Sequence, residues 1–155
     1  MNLILAKKLA IELMSDHGLL DHGWSFEYDN AKRRFGVCMY GSKVIGLSKL
    51  LVAANDETQV RDTILHEIAH ALVGVGHGHD KVWKKMCVKI GAKPERCYSS
   101  EDTNIIAGKY RAVCGGCGKT FDRHKRVPKG RRHACLCQSN IPWDKKKVLE
   151  YKVAR

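Results

Sequence analysis

Two histidines four positions apart flank a glutamate near the middle of the chain, in the segment His66-Glu67-Ile68-Ala69-His70. On an α-helix, side chains four residues apart project from nearly the same face, so both imidazoles can reach one metal ion. The glutamate points to one side of that pair, where it can hold a water molecule on the metal without being a ligand itself. This H-E-x-x-H spacing is typical of zinc peptidases, in which the glutamate is the general base.

The neighbours of this motif distinguish a metal site from a chance pattern. A surface helix that contained H-E-x-x-H by accident would have polar residues around it. Here the neighbours are apolar: Ile64, Leu65, Ile68, Leu72 and Val73. Polar groups are costly to bury unless something satisfies them. We therefore favour metal ligands over the alternative of a helix with two ordinary histidines.

A third ligand is needed, because catalytic zinc usually has three protein ligands and leaves one position for water. A glycine-rich segment follows the motif and contains two candidates, His77 and His79. Its glycines allow the chain to leave the helix and turn back. The metzincin pattern requires a glycine and then a histidine after the second helical histidine. Those positions hold Val73 and Gly76, so that pattern is excluded.

A second candidate metal site is built from cysteines. Cys114 and Cys117 form a C-x-x-C knuckle with two glycines between them, and Cys135 and Cys137 form a tighter C-x-C pair that follows His133. A tetrahedral structural zinc needs a second pair to complement the first. Four cysteine ligands are favoured, and His133 is the alternative to one of them. A redox pair is less favoured, since the knuckle lacks a βαβ context.

The segment between the two cysteine pairs has 17 residues, and we expect it to form the β-hairpin of a zinc ribbon with its tip near 128–130. Residues 108–155 carry 14 Lys and Arg against 3 Asp and Glu, a net charge of +11. Residues 1–107 carry 14 against 13, a net charge of +1. A segment this basic predicts binding to a polyanion, here the DNA backbone without sequence preference; the alternative is a solvated tail. The candidate DNA contacts are Lys119, Arg123, Lys125, Arg126, Lys129, Arg131 and Arg132.

Two aromatic residues of the basic segment have two possible roles. Trp143 and Tyr151 could stack on the bases of single-stranded nucleic acid. They could equally pack against a closing strand, because Val148, Leu149 and Val153 are typical of a terminal β segment.

Taken together, these motifs resemble the SprT-like zinc metalloprotease family. The resemblance rests on the H-E-x-x-H segment, on 79–83, on 24–36 and 45–48, and on the ribbon. It implies that His79, four residues before Trp83, is the third ligand, with Asp80 where the family usually has glycine. It leaves His77 as a less favoured ligand or a neighbouring group. It also implies proteolysis of proteins bound or crosslinked to DNA.

The elements that must position these groups follow from hydrophobic spacing. A helix is predicted over 2–17, and a helix capped by Asn55 or Asp56 runs to about Val73 and carries the motif. A further helix runs from about Asp80 to Ile90. Period-two alternation predicts strands near 24–28, 35–39 and 44–47, joined as a small antiparallel meander, with a short helical turn at 48–53. The stretch 92–108 is typical of a linker and contains the domain boundary.

Length and composition restrict the class of protein. The chain of 155 residues can bury one core and a small second module. It has no apolar run long enough to span a bilayer and no signal-peptide pattern, so a soluble, cytoplasmic protein is expected, in the nucleoid or nucleus if it associates with DNA. A monomer is also expected. Seven cysteines, an odd number, indicate reduced thiols and a metal site.

The sequence therefore predicts an α+β fold with a zincin-like metalloprotease domain at 1–107 and a basic zinc ribbon at 108–155. One catalytic and one structural zinc ion are expected, with DNA and DNA-bound proteins as partners and Glu67 as the catalytic base. The rival is a non-catalytic DNA-binding protein with a structural zinc. The glutamate argues against it, since a purely structural site has no use for that carboxylate.

Overall fold

The computed structural model describes residues 1–96, 104 and 106–154. The chain divides into two units, Met1–Ile106 and Ala107–Arg155. This division lies one residue before the boundary between 107 and 108. Part of the predicted linker, at 97–103 and 105, lies outside the described residues. None of the helices found in the described residues is long and apolar enough to cross a membrane.

The described residues of the first unit form four helices, each beginning at a side chain that caps it. They are α1 (Leu3–Asp16), α2 (Lys49–Ala54), α3 (Glu57–Val73) and α4 (Lys81–Ile90). The N-caps are Asn2, Ser48, Asp56 and Asp80, whose side-chain oxygens accept hydrogen bonds from backbone N–H groups of the first turn. Helix α4 ends at Gly91 in the left-handed conformation, with φ of 81°. The predicted helices are confirmed.

The predicted antiparallel meander is wrong. Strands β1 (Ser25–Asp29), β2 (Gly36–Met39) and β3 (Val44–Ser48) form a sheet of order β1-β3-β2. β3 pairs parallel with β1 and antiparallel with β2. All five residues of β3 are buried, whereas β1 and β2 have exposed residues. A strand buried on both faces takes the centre of a sheet, and this decides the order.

Helix α3 lies at the centre of this unit and contacts α1, α4, β2 and β3. Its inner face buries Ile64 and Ile68 completely, and Trp83 of α4 is also fully buried in the same core. Side chains in such a core are held in single conformations by close packing. The motif helix is therefore the most restrained element available to carry reactive groups.

The second unit is a small sheet built around the first cysteine pair. Strands β4 (Tyr110–Val113), β5 (Thr120–Arg123) and β6 (Lys152–Val153) have the order β5-β4-β6, and both pairings are antiparallel. Two short 3₁₀ turns, Leu136–Gln138 and Trp143–Lys145, lie between β5 and β6. The predicted α+β architecture is thus confirmed across the two units.

The expected hairpin between the cysteine pairs is wrong. The hairpin is formed by β4 and β5, so the Cys114–Cys117 knuckle is its turn. Two backbone hydrogen bonds of 2.9 Å close this turn: the Cys114 N–H donates to the Lys119 carbonyl, and the Gly118 N–H donates to the Cys114 carbonyl. Gly118, with φ of 72°, permits this tight reversal. The predicted tip is only a local turn, in which the Arg131 N–H donates to the Pro128 carbonyl. The terminal strand is limited to β6.

Candidate metal centres

The three candidate histidines of the first unit meet at one point. His66 and His70 project from α3, and His79 comes from the segment between α3 and α4. The Nε2 atom of His79 lies 3.2 Å from the Nε2 atoms of both helical histidines. Tetrahedral zinc with bonds of about 2.05 Å would hold its nitrogen ligands about 3.3 Å apart. The residues present therefore fit a tetrahedral metal ion.

The turn between α3 and α4 places His79 and not His77 at this point. Gly74 and Gly76 both have positive φ, 80° and 98°, which lets the chain reverse directly after the helix. Asp80 then caps α4 and fixes the chain just after His79. His77 is exposed and its Nδ1 lies 2.9 Å from the Asp80 carboxylate, so it belongs to the rim of the turn.

Trp83 forms the back wall of the histidine cluster. Its ring lies 4.7 Å from the ring of His66, 5.1 Å from that of His70 and 4.6 Å from that of His79, between centroids. The indole is fully buried. An apolar wall of this kind restricts the rotation of all three imidazoles and keeps their Nε2 atoms directed at the same point.

The electrostatics of the cluster favour neutral imidazoles. Burial lowers the pKa of His66 to about 3, and the neighbouring His70 and His79 act in the same direction. Burial and nearby positive charges also lower the pKa values of His70 and His79. Metal binding requires deprotonated ligands. The three histidines are thus held in the protonation state that binds a metal.

Glu67 is buried beside the cluster, with 7% of its surface exposed. Burial raises its pKa to about 8, against the opposing effects of the Arg34 charge and a hydrogen bond from the Cys38 backbone N–H. A carboxyl group with a pKa near neutrality can both take and return a proton at physiological pH. Geometry and protonation therefore both suit Glu67 to acid–base chemistry.

Strand β2 supplies contacts to Glu67 that the motif alone did not indicate. A Cβ atom on Gly36 would lie 2.6 Å from Oε1 and 2.7 Å from Cγ of Glu67, which is well inside van der Waals contact. Two residues further on, the Cys38 N–H binds the same carboxylate. A glycine within a strand pattern is a signal of close approach, so Gly36 could have been singled out from sequence. Cys38 carried no such signal.

Two further residues, one on β2 and one directly after it, lie near the motif helix, and neither provides a thiol nucleophile. Burial, together with the charge of Glu67, raises the pKa of Cys38 to about 12, so its thiol stays neutral. Tyr40 donates a hydrogen bond from its hydroxyl to the His70 carbonyl, 3.2 Å away, and ties the end of α3 to the sheet. These residues support the site without being reactive themselves.

The four cysteines of the second unit also converge. Cys114 and Cys137 have their Sγ atoms 3.6 Å apart, and those of Cys117 and Cys135 are 3.7 Å apart. These distances exclude disulfides, whose sulfur atoms are about 2.05 Å apart. They match the separation of about 3.8 Å expected for thiolates around tetrahedral zinc. His133, the alternative ligand, lies elsewhere, with its Nδ1 3.2 Å from the Arg123 guanidinium.

Hydrogen bonds stabilise the thiolate form of the first cysteine. Backbone N–H groups of Cys117 and Gly116 lower the pKa of Cys114 to about 6. The buried Gln138 also donates to the Cys114 sulfur, at 3.7 Å, while its amide binds both the N–H and the carbonyl of Lys147. Gln138 was not predicted, because nothing in its sequence surroundings distinguishes it from a surface glutamine.

The candidate DNA contacts lie on the second unit in several environments. Three of the lysines, Lys119, Lys125 and Lys129, are exposed. The ammonium group of Lys119 also lies over the Phe121 ring. Arg126 and Arg131 line a cavity of about 320 Å³. Other residues of that cavity are Tyr110, Val127, His133, Leu149, Tyr151 and Val153.

Tyr151 and Trp143, for which the sequence allowed either base stacking or packing, lie in different environments. Tyr151 packs against the small core of the second unit, below the Arg123 guanidinium. Trp143 is 45% exposed, and two cations lie over its ring, the Arg132 guanidinium at 6.0 Å and the Lys146 ammonium at 5.4 Å from the centroid. Only Tyr151 therefore takes part in closing the sheet.

Comparison with known proteins places these features in a family. A family model described as the SprT-like family matches residues 9–104. The chain is 31% identical over 130 residues to "Protein SprT-like" of Staphylococcus carnosus, covering 78% of this chain and 85% of that protein. It is 29% identical over 107 residues to "Protein SprT" of Glaesserella parasuis, covering 64% of this chain and 69% of the relative.

Proposed function

Because the chain belongs to the SprT-like family, we propose that it is a zinc-dependent metalloendopeptidase that acts on DNA-associated proteins. In this proposal the first unit is a zincin-like catalytic domain, and the second is a zinc ribbon that binds DNA through its backbone. The observation that carries the proposal is the convergence of three imidazole Nε2 atoms beside a buried glutamate.

His66, His70 and His79 would hold the catalytic zinc. When bound, zinc acts as a Lewis acid and lowers the pKa of a coordinated water to about 7. Trp83 keeps the three rings oriented, and their lowered pKa values favour the neutral imidazole, which has one ring nitrogen free to bind a metal.

Glu67 would be the general base and then the general acid. Its carboxylate takes the proton released when water attacks the peptide carbonyl carbon, and it passes that proton to the leaving amine. The Cys38 N–H and the close approach of Gly36 hold the carboxylate in place. A purely structural zinc site would have no need for this restrained, buried acid.

Substrate would bind along β2. This strand lies at one edge of the sheet, and the residues that contact Glu67 are on it. An extended peptide that adds to such an edge makes main-chain hydrogen bonds and presents its scissile bond at a fixed distance from the base. This mode suits unfolded or flexible protein segments.

The second unit would bring the enzyme to DNA. Residues 108–155 carry a net charge of +11, and the candidate contacts other than the half-buried Arg123 are exposed. Contacts to phosphates give affinity and position without reading base sequence. DNA-bound proteins would thereby be concentrated near the protease.

A protease assay on a DNA-bound basic protein, with and without DNA, tests the proposal. We expect the wild type to cleave, faster when DNA is present, and Glu67→Gln to bind zinc and DNA normally while losing cleavage. Equal cleavage by Glu67→Gln would remove the general base from the proposal. No cleavage by either protein, with DNA binding intact, would favour the non-catalytic DNA-binding alternative.

A further inference from the structure

Helix α4 exposes positive charge that pairs with no acidic side chain among the residues the structure describes. Its outward residues include Lys81, Lys84, Lys85 and Lys89, and its sequence contains no Asp or Glu. The other long helices carry both positively and negatively charged side chains. α1 exposes Lys7 and Lys8 together with Glu12 and Asp16, and α3 combines Glu57, Arg61 and Asp62. An ordinary solvated helix has this mixed pattern, and α4 departs from it.

The lysines of α4 form a continuous row. Lys81, Lys85 and Lys89 are spaced by four residues, so they follow one another along the same face at intervals of about 6 Å. Like charges at this spacing repel and destabilise the helix. None of these lysines forms an ion pair with any described residue. The repulsion is therefore not relieved within the part of the chain that the structure describes.

The lysines and the histidine cluster lie on different faces of the same helix. The inner face of α4 carries Trp83, which contacts all three imidazoles. The lysines lie on its exposed face. The helix that presents the lysine row is therefore also the helix that packs against the candidate catalytic site.

We propose that the α4 lysine face, formed by Lys81, Lys84, Lys85 and Lys89, binds the phosphate backbone of nucleic acid as a contact surface of the first unit itself. A regular row of cations suits a polymer with regularly repeated negative charges. The strongly basic second unit favours the same class of ligand. The inference goes beyond the proposed function, since it requires neither cleavage nor the ribbon.

The consequence is a division of roles between two basic surfaces. The second unit supplies most of the binding energy, because it carries nearly all of the net charge. The α4 lysine face orients the histidine cluster relative to the bound strand. Contacts of this kind fix position and add salt dependence without sequence preference.

The test measures DNA affinity as a function of salt in the full chain carrying Glu67→Gln, so that cleavage plays no part. The probe is a fluorescent oligonucleotide, single-stranded or duplex. The variant Lys81→Gln/Lys85→Gln/Lys89→Gln is compared with Lys7→Gln/Lys8→Gln/Lys49→Gln, which removes three exposed lysines from α1 and α2. We expect the affinity of the α4 variant to fall about tenfold. The slope of its log affinity against log salt should decrease by about 0.9 for each duplex phosphate that the lysines no longer neutralise.

Two further measurements keep the result decisive. The charge-retaining variant Lys81→Arg/Lys85→Arg/Lys89→Arg should bind as the parent does. No variant should melt at a lower temperature than the parent, since the glutamines remove the repulsion along α4. Equal decreases in the α4 and control variants would overturn the inference, since net charge alone would then explain binding. So would lysine-dependent binding to phosphatidylserine vesicles with unchanged DNA affinity, because Val82 and Val88 are also exposed on α4.

Discussion

At the scale of single residues, Gly36 is as informative as the metal ligands. Its missing side chain is what allows β2 to lie against Glu67, since even a methyl group would overlap the carboxylate. A catalytic group moved by about 1 Å can reduce the rate on the order of 100-fold. The position of Glu67, the proposed general base, is therefore set from outside the motif.

We expect Gly36→Ala to lower kcat on the order of 100-fold while leaving the zinc content unchanged, because Glu67 is displaced and the histidines are not. Peptide cleavage and elemental analysis measure the two effects. Gly41→Ala is the matched control, since a Cβ atom there meets nothing within 4 Å and should leave both unchanged. Unaltered kcat in Gly36→Ala would contradict the role given to β2.

The two histidines after the motif provide a second residue-scale prediction. His79→Ala should abolish cleavage and release the zinc of the first unit, because it removes one of three converging nitrogens. His77→Ala should do neither, because its ring is exposed and paired with Asp80. Zinc affinity measured against a chelator separates the two, and a reversed order would place the wrong histidine at the metal.

At the scale of elements, the helices could be predicted from sequence and the sheet order could not. Asp56, Asp80 and Gly91 are local signals, since each acts on N–H or carbonyl groups within a few residues. The order β1-β3-β2 depends on which strand is buried on both faces, which is a property of the whole core. Local alternation does not contain that information.

The candidate sites likewise contain residues that could be predicted from the sequence and residues that could not. The histidine spacing and the cysteine pairs are short-range patterns that the sequence displays directly. Gln138 and Cys38 reach their sites through folding, from positions with no distinguishing neighbours. Even the β4-β5 hairpin differs from the predicted one, because the glycine-rich knuckle, which is typical of a metal loop, is also the turn.

The knuckle's double role leads to a prediction for the second unit. Its core contains Cys114 and Cys135 together with Ala112 and Leu149. A module this small needs a metal to be stable. Cys114→Ser should therefore lower the zinc content from two ions per chain to one and unfold the second unit alone. Elemental analysis together with limited proteolysis checks this, and a still-folded ribbon would contradict it.

At the scale of the whole molecule, charge separates the two units. The first 107 residues carry +1 and the remaining 48 carry +11. Binding to nucleic acid should therefore depend mainly on the second unit, with a smaller share from α4. In the proposed function, the protease and the main DNA contact are distinct parts of one chain.

A fragment ending at Ile106 should keep its histidine zinc and cleave a flexible peptide as the full chain does. It should lose most of its DNA affinity and any stimulation by DNA, since the +11 segment is gone. Titrations at matched salt provide the measurement. A fragment that binds DNA as tightly as the full chain would show that the ribbon is not the main anchor.

The histidine cluster has one more property, which concerns the order of events during folding. His66, His70, His79 and Trp83 lie within 18 consecutive residues, whereas Gly36 and Cys38 come from about 30 residues earlier in the chain. Contacts between residues close in sequence form faster than those between distant ones. We therefore expect a refolding chain to capture zinc before β2 reaches Glu67. Zinc uptake and cleavage that recover at the same rate in a stopped-flow refolding experiment would refute this order. In the proposed function, a newly made chain that acquires its metal first and its base last would be protected from digesting its own unfolded copies.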